Sequence, residues 1–275
     1  MRNHFLAHVA AAVAAMMTLA QGSAQQTAPP TKAASHAQAT PPVPRTADGK
    51  PDLNGAWQPG SDRVGTWEEA NQGVGVPEPG KRPPVTRGGP APYQPWAARK
   101  ALESYNLRRI DEPVARCLPE LDLPGISLYP IQIVQNSQTI VFLIEQRHLF
   151  RIIPLNAKHP DDLDPAYLGD SVGHWEGDTL VVDVTGFSEK MAGVNLHSEA
   201  LHITERYTRV DYNTIEYEAT SEDPKVLTKP WTIHSKIMLR PGTRIRESVC
   251  EENNQDPERY EKLLKDGLVQ RNNGK

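Results

Sequence analysis

The stretch Ser171-Val-Gly-His-Trp-Glu-Gly-Asp-Thr-Leu-Val-Val-Asp-Val-Thr-Gly-Phe187 constrains the fold more than any other part of the chain. Two runs of β-branched and aromatic residues flank Glu176-Gly177-Asp178. A central Gly permits the positive φ of a tight turn, so the segment predicts a β-hairpin. Comparable runs recur upstream at Leu128–Gln135, Thr139–Glu145 and Leu149–Pro154, and downstream at Leu201–Val210, Thr214–Thr220 and Trp231–Leu239. Arg244–Cys250 offers a ninth strand. Sequential antiparallel strands must dispose of their edges. Closing into an up-and-down barrel does so, and barrels of about eight strands hold one small ligand. The expected fold is therefore mainly β: a single antiparallel meander closing into a calycin- or lipocalin-like barrel, with a short helix before and after it. A β-sandwich is the alternative.

The rest of the chain frames that domain. Arg2 followed by the apolar run Phe5–Ala20 and the small residues Gly22-Ser23-Ala24 has the pattern of a signal peptide over residues 1–24. The run is short for a transmembrane helix, which needs about 20 apolar residues, and no later segment is long and apolar enough. Residues 25–44 are rich in Ala, Pro, Thr and Gln and read as a disordered tether. Residues 45–124 form a Pro- and Gly-rich wrapping segment, with Trp57 as a core anchor and a helix over Pro95–Arg109 that starts on Pro. The barrel occupies residues 125–255, and residues 256–275 hold a C-terminal helix, from Glu258 to about Leu268, and a tail. Periplasmic or secreted localisation follows from the leader. Cys117 and Cys250 are the only cysteines. An even count in an exported chain suggests one disulfide; two buried thiols, or a thiol nucleophile, are the competing readings. The net charge of −4 is spread along the chain, and no basic stripe argues for nucleic acid. No Walker or Rossmann glycine pattern is present.

Side chains alternate faces along a strand. In Leu201–Val210, Leu201, Ile203, Glu205 and Tyr207 share the apolar, inward face, and His202, Thr204, Arg206 and Thr208 share the other. One bulge would exchange Glu205 and His202. An inward Glu205 is a candidate acid–base group, since a buried carboxylate is costly unless paired or protonated; an ion pair to an inward Arg such as Arg151 is the structural alternative. His197 and His202 bracket Glu199 at the strand entrance. His197 and His202 are candidate proton carriers, and His197, Glu199 and His202 are a weak metal set, lacking the H-E-x-x-H spacing. The loop His159-Pro-Asp-Asp-Leu-Asp-Pro165 and Asp170 collect acidic groups around one imidazole; they suit Ca²⁺ held by oxygen ligands, though without EF-hand spacing, or equally a sugar hydroxyl network, with ordinary turn and capping roles as the alternative. Arg206, Trp175 and Tyr207 complete the candidate ligand-binding set. Ser171 lies outside any G-x-S-x-G elbow. Glu176 and Asp178 resemble a carboxylate pair, but turn chemistry accounts for them.

Several long phrases are shared with a known group of sequences. They are Arg45-Thr-x-Asp-Gly-Lys-Pro-Asp-Leu-x-Gly-x-Trp57, Ala115-Arg-Cys-Leu-Pro119, His159-Pro-Asp-Asp-Leu-Asp-Pro165 and Gly169-Asp-Ser-x-Gly-x-Trp-Glu-Gly-Asp-Thr-Leu-Val-Val-Asp183. Gly186-Phe187, His197-Ser-x-Ala-Leu-His202, Glu205-Arg206, Asp223-Pro224, Thr228-Lys-Pro-Trp231 and Cys250-Glu-Glu-Asn253 continue the series. On these phrases the chain resembles a large, poorly characterised family of exported bacterial proteins. The resemblance covers residues 45 to 255; it implies one continuous domain and export, and it assigns no activity.

The functional expectation is an exported β-barrel enzyme doing acid–base chemistry, of the lyase, hydratase or hydrolase type, on a small sugar-derived or aromatic compound. No cofactor is expected. The alternatives are a non-catalytic periplasmic protein that binds a small ligand, and an enzyme that depends on a divalent metal.

Overall fold

The computed structural model describes residues 41–59, 91–106, 110–120, 129–190, 196–252 and 254–268. The leader, most of the tether and all of residues 60–90 lie outside the described residues, so the expectations placed on them do too. Nine strands form one sheet: β1 (Gly55–Pro59), β2 (Ile131–Gln135), β3 (Thr139–Ile144), β4 (Leu149–Pro154), β5 (Asp170–Glu176), β6 (Thr179–Thr185), β7 (His202–Arg209), β8 (Thr214–Glu222) and β9 (Trp231–Leu239). Helix α1 covers Pro95–Asn106 and helix α2 covers Asp256–Lys265. Among the described residues no helix is long and apolar enough to cross a membrane.

The strand order is β4-β3-β2-β1-β9-β8-β7-β6-β5, and every adjacent pair is antiparallel. The sheet curls into a nearly closed barrel, as the sequence predicts. Its first and last strands pair, with Trp57 opposite Leu239. Arithmetic then dictates the seam. Nine strands alternating up and down around a ring leave one neighbouring pair running parallel, and here that pair is β4 and β5. They meet through a single parallel bridge, Leu155 to Gly173. A parallel connection has to carry the chain back along the strand, which a two-residue hairpin cannot do. Residues 155–169 perform that return.

Two differences from the sequence reading concern the ninth strand. Arg244–Cys250 is not a strand; two of its amides go to side chains, Arg246 N–H to Glu145 Oε2 (2.8 Å) and Ser248 N–H to His148 Nε2 (2.8 Å). The ninth strand is Gly55–Pro59, from the segment expected only to wrap the barrel. It supplies Trp57, which is fully buried and donates its indole N–H to Leu53 O at 2.9 Å.

Alternate residues fill the interior: Ile131, Ile133, Ile140, Phe142 and Ile153 from one half of the sheet, and Leu180, Val182, Val184, Ile203, Tyr207, Tyr217, Ala219 and Ile237 from the other. A second apolar cluster joins Ala97 of α1 to Leu196, Val226, Leu227 and Trp231. Cys117 and Cys250 are disulfide-bonded, 133 residues apart in sequence. Gly173 sets the seam. A Cβ there would lie 2.9 Å from Ile153 Cγ2 and 3.1 Å from Leu155 Cδ2, so only glycine lets β5 come this close to β4. Gly173→Ala is expected to destabilise the barrel by about 1–3 kcal/mol through overpacking. A urea midpoint equal to that of the wild type would remove this account of the seam.

Candidate functional site

Two polar constellations stand out, one inside the barrel and one on its outer face. Inside, Glu205 is fully buried, and the predicted alternation of β7 holds. Arg151 on β4 reaches it with two bonds, Nη1–H to Oε1 at 3.1 Å and Nη2–H to Oε2 at 2.7 Å. The hydroxyls of Tyr207 and Tyr217 also donate to Oε1, at 3.1 and 2.9 Å. Ser171 Oγ accepts a further bond from Arg151 Nη2 at 3.0 Å. Burial opposes the charge on Arg151, but the Glu205 carboxylate overcomes this and leaves the guanidinium pKa raised. Burial, and then the same carboxylate, push both tyrosine pKa values well above their ordinary range. The candidate acid–base residue Glu205 is thus held in the ion pair that the sequence offers as its structural alternative. Tyr207, a candidate ligand residue, lies inside the same network.

The outer constellation is a row of alternating imidazoles and carboxylates. His159 Nδ1 lies 2.5 Å from Asp170 Oδ1, and His159 Nε2 lies 2.9 Å from Asp183 Oδ1. The other oxygen of Asp183, Oδ2, is 2.7 Å from His202 Nε2. His202 Nδ1 faces Glu222 Oε2 at 3.5 Å. Local folding explains the assembly. Asp183, His202 and Glu222 occupy outward positions on β6, β7 and β8, with Asp183 opposite Thr204 and His202 opposite Glu222. Asp170 opens β5, and the return loop carries His159 over this edge. The side chains are partly exposed, from 20% for His159 to 54% for Glu222.

The electrostatics follow from hydrogen-bond chemistry. A carboxylate only accepts, so a ring nitrogen that meets one must carry a proton. His159 meets a carboxylate on both nitrogens and is therefore an imidazolium. Partial burial works against the charge, but the bonds to Asp170 and Asp183 prevail and raise its pKa. Burial alone would raise the pKa of Asp183; the two imidazoles outweigh it and hold the carboxyl below its ordinary range. Asp183 also fixes a proton on His202 Nε2, while Nδ1 of the same ring faces Glu222 Oε2 at 3.5 Å.

Three sequence-predicted residues thus come together: His159, Asp170 and His202. Glu205 and Tyr207 meet inside the barrel, and the others stay apart from both groups. His197 is buried, edge-on to Phe187 with ring centroids 5.6 Å apart, and its Nδ1 approaches Ser198 O at 3.4 Å. Burial, with the nearby Lys190 ammonium, pushes its pKa down to about 4. Glu199 is an exposed partner of Lys225. The expected set of His197, Glu199 and His202 is therefore not assembled. Each takes a different partner, because the turn at Ser198–Ala200 is fixed by Asp223, whose carboxylate accepts from Ser198 N–H at 2.6 Å and from its Oγ–H at 2.8 Å. Among the described residues no group of three or more His, Cys, Asp or Glu is arranged to hold a metal ion. Arg206 binds Glu176 Oε2 at 2.7 Å, Asp178 is taken by Arg45, and Trp175 packs on the core beneath Lys50.

Sequence reasoning missed Asp183, the centre of the row, and Glu222. Asp183 interrupts the run Leu180-Val-Val-Asp-Val184 with a charge on the outward register, and that was the available signal. A buried ion pair, Lys190 to Glu120, tying the wrapping segment to the barrel was also missed. No family model, curated protein or solved structure matches this chain.

Proposed function

We propose that this is an exported β-barrel enzyme whose acid–base chemistry takes place on the outer face of β5–β8, with His202 as the proton-transferring group. The observation that carries this reading is the pair formed by Asp183 Oδ2 and His202 Nε2 at 2.7 Å. A carboxylate that holds a proton on one ring nitrogen leaves proton exchange to the other, and in His202 that nitrogen, Nδ1, faces Glu222 Oε2 at 3.5 Å, so the two groups form the proton-exchanging pair. Thr204 and Thr220 stand beside it on the same outward row. Their hydroxyls favour a small polyhydroxylated substrate, sugar-derived rather than aromatic. The reaction class is lyase, hydratase or hydrolase. In this reading Glu205 and His197 are structural, and the packed interior argues against a carrier with its ligand inside the barrel. The disulfide supports export, since such bonds persist in oxidising compartments.

The test is a screen of neutral sugars and uronic acids by imidazole NMR, followed by turnover assays on whatever binds. His202→Gln should keep the melting temperature and lower turnover about 10²- to 10⁴-fold, the usual contribution of a general base. Undiminished turnover in that variant would overturn the assignment, as would binding that leaves the His202 resonances unmoved.

A further inference from the structure

We propose that residues 157–165 form a pH-governed strap: protonated His159 pins it across Asp170 and Asp183, and loss of that proton releases it from both carboxylates. The inference stands on contacts, and it holds whether or not the row is catalytic.

The return loop is anchored at both ends by backbone bonds. Asn156 N–H donates to Gly173 O at 2.7 Å, and Ala166 N–H donates to Gly186 O at 2.9 Å. Between these anchors the residues are exposed except His159 and Leu163. Leu163 lies against Gly186 and steadies the second half of the strap at any pH. The first half rests on His159 alone among the described contacts. That contact has one workable protonation state. A neutral imidazole carries one lone-pair nitrogen, and whichever tautomer forms, that lone pair would face a carboxylate at 2.5 or 2.9 Å. Acceptor against acceptor at such distances is repulsive.

The surrounding charges act in the same direction. The strap carries Asp161, Asp162 and Asp164 against the single ammonium of Lys158. It faces Asp170 from β5 and Asp183 from β6, with His202 of β7 and Glu222 of β8 behind Asp183. Removing the imidazolium leaves a negative strap over two carboxylates. The folded pKa of His159 is raised, so the docking energy is fully present below the ordinary histidine value of about 6.5 and is lost as pH climbs through the folded value. Strong acid removes it again by protonating Asp183, whose carboxyl is held below its ordinary range. The strap is therefore closed at mildly acidic pH and opens as pH rises through the folded value of His159. Because Asp183 orients His202, opening also frees one carboxylate oxygen beside the proposed base.

Trypsin reads the strap directly, because Lys158–His159 is a cleavable bond in its first half. Its cleavage rate in the full-length protein is measured relative to the same bond in a synthetic peptide of residues 152–166, which cancels the protease's own pH profile. Between about pH 6 and about pH 8.5 the relative rate should rise about tenfold. In His159→Gln it should be high already at the lower pH and flat thereafter, with the melting temperature of the barrel retained. A flat wild-type ratio, or protection surviving in His159→Gln, overturns the proposal. So does an NMR titration in which His159 loses its proton at or below about 6.5. None of these readouts involves turnover, so a failure here is distinct from a failure of the catalytic reading.

Discussion

Glu205→Ala should lower the stability of the barrel by about 3–5 kcal/mol, with Arg151 as the cause. The guanidinium is 4% exposed and would keep its charge with no counter-ion in an apolar interior. Its Nε already lacks a partner, so little is left to compensate. The hydroxyls of Tyr207 and Tyr217 would also lose their shared acceptor. Arg151→Met should cost a similar amount by stranding the carboxylate. The pair of changes distinguishes an ion pair that stabilises from one that merely has to be complete. Replacing a buried pair with apolar residues of similar volume is often neutral, whereas breaking it is not. Arg151→Met combined with Glu205→Leu should therefore recover most of either single loss, short of the cost of the hydrogen bonds that Tyr207 and Tyr217 made to the carboxylate. Urea denaturation of the wild type, Glu205→Leu, Arg151→Met and the double variant, with unchanged m-values, completes the cycle. A loss below about 1 kcal/mol for Glu205→Ala would sink this account, since surface pairs alone behave that way.

Removal of the disulfide is the second large effect. Cross-linking residues 133 apart restricts the unfolded chain by about 5 kcal/mol in the chain-entropy model. The bond also organises a satellite of the barrel. Cys117 ends a short 3₁₀ turn over Pro113–Arg116, Asn254 Nδ2–H bonds Ala115 O at 2.9 Å, and Arg116 lies over the Tyr260 ring of α2 at 5.2 Å. In Cys117→Ala/Cys250→Ala the midpoint should fall by most of that energy, and α2 should become the first region to exchange its amides. If the double variant matched the wild type, the link would contribute nothing beyond what packing already holds.

The fold was legible where residues repeat with period two. The hairpin of β5 and β6, the inward Glu205 and the outward His202 all follow from alternation, because one face of each strand is buried. β1 was not legible. Gly55-Ala-Trp-Gln-Pro59 is five residues with a glycine and a proline at its ends, and it becomes a strand only because β2 and β9 offer it two edges. The opposite error at Arg244–Cys250 has the same origin. Its composition is compatible with a strand, but that pairing is already taken by β1. The outer row was half legible. His159, Asp170 and His202 drew attention as residue types, whereas Asp183 hid in an apolar run and revealed itself only through its register with β7.

The odd number of strands bears on how the molecule assembles. Each half of the sheet, β1–β4 and β5–β9, is built from neighbours in sequence, apart from the long excursion between β1 and β2. Most of these pairs close over short loops and form early; the longest link, between Thr185 and His202, is 16 residues. The junction between the halves is β1 against β9, about 180 residues apart along the chain, and contacts of that separation are slow to reach. A nascent chain therefore holds an unfinished sheet until Trp231–Leu239 has been made. Until then the backbone groups of Gly55–Pro59 that will face β9 have no ladder partner. In this protein, the last strand to be synthesised completes the pairing of the first.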